Sequence, residues 1–246
     1  MDPTRSWPDG ELVAFDLETT GVDRFVDVPV SFALVTMAGG RVTGQRSSLV
    51  DPGRDIPAGA TAVHGISIER ARAEGMALDD AVASVAEALV DASGRGVPVV
   101  GMKLDYDLTI LDVQCRRVHG RGLEALGFAG PVLDALVLDR HFDRYRKGRR
   151  TLGDLCAEYA VAIDRAHDAA ADAAATLAVL ASMCRRYPAL CQASLDDLHR
   201  SQGSWHRDWA ESFGQWRRRQ GLPLLDPREA DWPIALAGSP PLLSSA

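Results

Sequence analysis

Apolar and polar positions alternate along this chain in blocks that change period several times. Leu12-Val13-Ala14-Phe15 is an unbroken apolar run that stops at Asp16, which predicts a buried strand delivering a carboxylate at its C-terminal end. Val30 to Met37 and Arg41 to Val50 flank Gly39-Gly40, a pair suited to the positive φ of a hairpin turn. Three antiparallel strands are therefore expected to open the domain. Helical spacing follows at Val82, Val85, Ala86, Leu89 and Val90, with Asp79 or Asp80 as the candidate cap. Val97 to Gly101 reads as a strand. Asp107 to Val118 reads as a helix, with Leu111, Gln114, Cys115 and Val118 on one side. Val132 to Leu138 reads as the last strand, and Thr151 to Tyr159 and Ala169 to Cys184 as closing helices. Strands first, then strand and helix in alternation, predict an α/β fold with a mixed sheet.

The character changes around Pro188. Beyond it come Trp205, Trp209, Trp216 and Trp232, several prolines and the basic run Arg217-Arg218-Arg219. The expected organisation is a domain over residues 1–187 and a Trp- and Pro-containing C-terminal extension over 188–246, suited to docking on the domain, on a polymerase or on a second copy. Its tryptophans read first as packing anchors.

Composition narrows this picture. At 246 residues with 46% apolar side chains, the chain can bury a real core, which excludes wholesale disorder. The opening Met1-Asp2-Pro3-Thr4-Arg5 has no apolar run behind it, so no signal peptide is read there, and no stretch approaches the roughly 20 apolar residues of a membrane span. Cys115, Cys156, Cys184 and Cys191 lack CxxC spacing and read as reduced, packed thiols of a cytoplasmic protein. A net charge of −7 argues against a chain that coats nucleic acid non-specifically, though not against one that grips a strand end. The cations Arg140, Arg144, Arg146, Lys147, Arg149 and Arg150 form a basic stretch, equally a phosphate-tracking lip or a solvated loop.

Candidate chemistry lies in three acidic clusters: Phe15-Asp16-Leu17-Glu18-Thr19-Thr20-Gly21, Tyr106-Asp107-Leu108, and His167-Asp168-Ala169-Ala170-Ala171-Asp172. Asp16 and Glu18 stand two apart on an extended segment and point to one side, a repulsive arrangement unless a cation sits between them. Asp107 alone reads equally as a helix N-terminal charge, and Asp105 or Asp112 could be similarly idle. Asp168 is placed to cap an alanine-rich helix. On uninterrupted helix His167 and Asp172 would lie about 140° apart, so they converge only if His167 stands off the helix. The small side chains from Ala169 to Ala175 let that helix lie close to a sheet, where Asp172 needs a partner. Together the clusters supply carboxylates and a histidine able to hold divalent metal and activate a water.

In this order and spacing, the pattern F-D-x-E-T-T-G, Y-D and H-D-x-x-x-D resembles the DEDD exonucleases of the His-bearing subfamily. It is similar above all to the proofreading epsilon subunits of bacterial DNA polymerase III and their stand-alone relatives. Ile56-Pro57-Ala58 through Val63-His64-Gly65-Ile66 resembles the I-P-x-x-A-x-x-V-H-G-I segment of the same proteins, so the likeness spans roughly Glu11 to Met183. It implies a ribonuclease H-like exonuclease fold, a five-stranded mixed sheet flanked by helices. One departure stands out: where many relatives carry His-Asn before the second-motif aspartate, this chain has Met102-Lys103.

The resemblance further implies that Asp16, Glu18, Asp107 and Asp172 hold two Mg²⁺ or Mn²⁺ ions about 3.5–4 Å apart. His167 would take the proton of the attacking water, and 5′-mononucleotides would leave from the 3′ end of single-stranded DNA. Leu17, Thr19, His64 and Lys103 are the candidate substrate contacts, Lys103 as a phosphate contact or a competitor for a carboxylate. Two rival readings keep the fold: an exonuclease that trims RNA or short oligoribonucleotides, and a weakly active module that binds nucleic acid or a protein partner.

Overall fold

The computed structural model describes residues 7–162 and 167–236. The segment Met1–Arg5, read above as lacking a signal peptide, and the end of the C-terminal extension lie outside the described residues. The strands are β1 (Glu11–Thr19), β2 (Pro29–Ala38), β3 (Arg41–Asp51), β4 (Met76–Ala77), β5 (Val99–Gly101) and β6 (Val132–Asp134). The helices are α1 (Ala58–His64), α2 (Ile68–Glu74), α3 (Leu78–Gly94), α4 (Leu104–His119), α5 (Leu123–Leu126), α6 (Ala135–Phe142), α7 (Leu152–Glu158), α8 (Ala169–Arg186), α9 (Pro188–Gln192) and α10 (Leu195–Arg219).

The sheet has six strands in the order β4-β3-β2-β1-β5-β6, where five were expected. The sixth is the two-residue β4, which pairs in parallel with Val50 and Asp51 at the end of β3 and is too short to leave a periodic trace. β1, β2 and β3 form the expected antiparallel meander, and β5 and β6 run parallel to β1.

β1 is apolar on both sides because it is covered on both. Val13, Phe15 and Leu17 pack toward α3 and α4, and Leu12 and Ala14 toward α8. Asp16 and Glu18 continue the Leu12–Ala14 face, so the strand carries its carboxylates out of the core on the α8 side. Asp16 lies inside β1, not at its end, and pairs with Ala33 of β2. Ala169 and Ala173 are buried where α8 crosses β1 and β2.

The predicted strand Val132–Leu138 ends at Asp134. There the carboxylate accepts hydrogen bonds from the Leu136 and Val137 amides (2.9 and 3.3 Å) and starts α6. The run is buried in either conformation, so apolarity alone does not separate the two. Asp79 and Asp80 sit in the first turn of α3 without capping it.

The residues after Pro188 close the β6 edge of the sheet. Gln202 of α10 accepts from the Asp134 amide (2.7 Å) and donates to the Val132 carbonyl (2.8 Å), while His199 Nδ1 accepts from the Val132 amide (3.2 Å). These side chains satisfy backbone groups that an open edge strand would expose. The chain then returns over α4, where Ala235 donates to the Thr109 hydroxyl (2.9 Å) and Ile234 joins the core beside α3 and α4. No described helix is long and apolar enough to cross a membrane.

Candidate active site

Three of the predicted site residues come together at the C-terminal end of β1. Glu18 and Asp172, with His167, offer ligand atoms all within 4.8 Å of one another. Asp168 caps α8 by accepting from the Ala171 amide (3.1 Å), as its position predicts. His167 is off the helix with φ 65°, and its backbone amide donates to Asp172 Oδ2 (3.2 Å). That turn removes the angular separation a continuous helix would impose.

Asp16 joins the group electrostatically. Its carboxyl is driven well above the usual range by burial, then by Asp107, Asp172, Glu18 and Asp168. Asp107, buried in the first turn of α4, is raised by burial, Asp105 and Glu18, with Lys103 opposing. Glu18 is pushed up to about 8 by burial, Asp172 and Asp168. Asp172 is raised mainly by burial, while the His167 amide pulls it down. Among the described residues no Lys or Arg forms an ion pair with any of these four carboxylates. Asp172 Oδ1 is buried without a hydrogen-bond donor. Hard oxygen ligands, mutual repulsion and an orphaned buried oxygen together fit a divalent cation of the Mg²⁺ or Mn²⁺ type.

The predicted substrate contacts divide. Leu17 is buried on the face opposite Asp16 and Glu18, leaving its backbone alone toward the site. The hydroxyls of Thr19 and Tyr106 meet the Gly21 carbonyl, with 2.9 Å between the hydroxyls, and so tie the end of β1 to α4. Gly21 is glycine because a Cβ there would lie 2.6 Å from the Asp27 carboxylate, which the Thr20 hydroxyl holds (2.7 Å). His64 ends α1 and accepts from the Ile66 amide at Nδ1 (3.1 Å), which assigns the proton to Nε2. Nε2 is buried without a well-formed hydrogen bond, though the Thr19 carbonyl lies nearby. Burial lowers the His64 pKa, the Thr19 carbonyl opposes that shift, and His167 reinforces it. A cleft of about 360 Å³ joins His64, His167 and Asp168 to Phe32 and Ile66.

Lys103 is exposed in the left-handed region (φ 59°), with its ammonium 5.3 Å from the centre of the Tyr106 ring. Asparagine tolerates that conformation better than lysine does, so the His-Asn of relatives suits this backbone as well as any ligand. The Lys103 and Leu104 amides donate to Asp134 (3.1 and 2.8 Å). One carboxylate therefore holds the starts of α4 and α6, a positioning role hidden in sequence by the apolar run around it.

Arg24 was also not singled out. Buried in the loop after β1, it pairs with Asp105 (2.8 Å) and with Glu229 of the returning C-terminal segment (3.0 Å). Burial raises the Asp105 pKa and Arg24 lowers it. Arg24→Ala would leave a buried carboxylate unpaired two residues from Asp107 and is expected to cost about 3 kcal/mol. Urea unfolding checks this: an unchanged midpoint refutes it, and Arg24→Met with Asp105→Leu should recover most of the loss.

Residues 13–180 match the RNase_T exonuclease family. The chain is 30% identical over 178 residues to a DNA polymerase III PolC-type protein of Lacticaseibacillus paracasei, covering 71% of this chain and 11% of that protein. It is 35% identical over 136 residues to a DNA polymerase III subunit epsilon-like protein of Rhodobacter capsulatus, covering 52% of this chain and 17% of the other. The chain thus spans a small part of these relatives. In fold it is similar to E. coli exonuclease I bound to a dA16 oligonucleotide, with a TM-score of 0.63 and 21% identity, over 80% of this chain and 44% of that one. Exonuclease I of Methylocaldum szegediense gives a TM-score of 0.59 at 23% identity, over 74% and 42%.

Proposed function

The chain belongs to the RNase_T exonuclease family, and from that premise we propose that it is a metal-dependent 3′→5′ exonuclease releasing 5′-mononucleotides from single-stranded DNA. The observation that carries this reading is the unneutralised carboxylate cluster around the orphaned Asp172 Oδ1, with His167 beside it. DNA is favoured as substrate because exonuclease I, which shares the fold, was solved with dA16 and dT13 oligonucleotides.

Asp16, Glu18, Asp107 and Asp172 would hold the cations, two in number on this reading. Bound there, these cations supply positive charge at the scissile phosphate and acidify the attacking water. His167, exposed and turned off the helix, takes that water's proton in its neutral form. His64 lines the cleft that would take the terminal nucleotide, and the backbone of Leu17 and Thr19 would line the same approach. Lys103 serves a phosphate.

Degradation of 3′- and 5′-end-labelled DNA and RNA with Mg²⁺, Mn²⁺ or EDTA tests the proposal. Metal-dependent shortening from the 3′ end is expected, faster on DNA. No cleavage with either metal would refute it, and faster loss of RNA would reassign the substrate.

The cluster also predicts how stability depends on pH. A carboxyl whose pKa is raised in the folded state stabilises the fold below its unfolded pKa and loses that contribution as pH rises through the folded value. For Glu18 the window runs from its ordinary value of 4.5 to about 8. The metal-free protein should therefore melt at lower temperature toward the alkaline end of that window, with Mg²⁺ restoring most there. Thermal unfolding in EDTA checks the sign, and Glu18→Gln should flatten the slope. A melting temperature that rises with pH in EDTA would refute the assignment.

A further inference from the structure

The exonuclease reading leaves unused the basic stretch after β6 and the tryptophans of α10, and the fold brings the two together. A pocket of about 370 Å³ opens between α6, the loop after it and α10, lined by Arg140, Arg144, Trp205 and Trp209 among others. Arg146 and Arg150 also face it, but both are paired with the fully buried Asp139. Their charges are largely spent on structure, whereas those of Arg140 and Arg144 are not.

Arg140 lies flat on the Trp209 ring, 3.4 Å from its centre, and forms no ion pair among the described residues. Burial lowers its pKa to about 10, against the pull of Asp134 and Asp105, so it is a charged guanidinium held partly out of water. His141 stacks on Trp205 at 3.6 Å and 12°, next to Arg144. Arg146 also pairs with Asp143 (3.4 Å), so Arg140 and Arg144 are the lining arginines without an ion pair among the described residues. Desolvated cations backed by aromatic rings match the chemistry of a polynucleotide backbone, whose phosphates need the charge. Phe213 and Trp216 extend the stack along α10, and Trp216 is 43% exposed.

We propose that this pocket is a second, non-catalytic nucleic-acid site. It holds a phosphodiester of the strand upstream of the 3′ end between Arg140 and Arg144, against the Trp205–Trp209 wall. The proposal rests on the exonuclease reading for the direction of the strand. Arg140 is an electrostatic neighbour of Asp105, and Asp105 of the site residue Asp107. α10 lies beyond residues 13–180, so the site is built partly from sequence outside the family match.

Tryptophan-fluorescence titration of the full chain in EDTA, with an oligothymidylate of roughly 15 nucleotides, tests it. The strand should quench the signal and a dinucleotide should not. Arg140→Gln and Arg144→Gln should each weaken strand binding about tenfold. Each should also lower the slope of log K against log salt by about 0.7. Arg144 is exposed, so its variant answers even where Arg140→Gln unfolds. Wild-type affinity and salt slope in the Arg144 variant would overturn the proposal. So would a dependence on these arginines shown only by an acidic peptide or by inorganic phosphate. Dinucleotide hydrolysis by the wild-type chain with Mg²⁺ tests catalysis separately. Arginine-dependent strand binding without hydrolysis would overturn the catalytic reading and keep the pocket.

Discussion

Asp16→Asn is expected to abolish metal-dependent shortening of DNA while making the metal-free protein harder to melt. Asp16 is the carboxylate on which Asp107, Asp172, Glu18 and Asp168 all act, so it is the point where the cluster's repulsion is greatest. Cation binding reverses that sign, and the group most penalised without metal gains most with it. Losing the cation's stabilisation of the transition state costs several kcal/mol, and above about 5 kcal/mol the rate falls by about 10⁴ or more. Asparagine keeps the shape of a side chain fixed in the middle of β1 opposite Ala33, so no cavity opens. End-labelled degradation and thermal unfolding in EDTA read the two effects. Near-wild-type cleavage would remove Asp16 from the site. Lost cleavage with a lower melting temperature would point to damage rather than to a missing ligand.

That expected opposition between activity and stability explains why the candidate site was legible in the sequence. A charge pair on a strand flanked by apolar residues breaks the period of the core, and only a function repays it. The hairpin at Gly39-Gly40, both at positive φ, and the Asp168 cap were legible for a related reason, since each is a local rule with a single backbone solution. The helix starting at Ala135 was not, because the carboxylate that ends β6 is buried inside an apolar run. α10 escaped for the opposite reason. Leu195, Leu198, Trp205, Trp209, Phe213 and Trp216 keep helical spacing, but the turns between them bury Gln202 and His206. Those polar residues serve the β6 edge and the Glu229 carbonyl, partners far away in sequence. Arg24, Asp105 and Asp134 belong to the same class. They hold the site through bonds to distant residues, and no local pattern announces them.

His167 is expected to govern the rate of the chemical step rather than metal occupancy, and its backbone decides which substitution can show it. At φ 65° alanine would add strain to the loss of the ring, whereas asparagine accepts that conformation and keeps the amide bond to Asp172. His167→Asn should therefore fold and bind metal yet turn over about 10²–10⁴-fold more slowly at neutral pH. KM should stay near the wild-type value. His167 also lies within 4.8 Å of ligand atoms on Glu18 and Asp172, so a ligand role is the competing account. The metal titration separates the two. A lost ligand is restored by raising Mn²⁺, because occupancy was the defect, whereas a lost base is not, because the proton still has no acceptor. Turnover that recovers with Mn²⁺ would make His167 a ligand, and an unchanged rate would remove it from the mechanism.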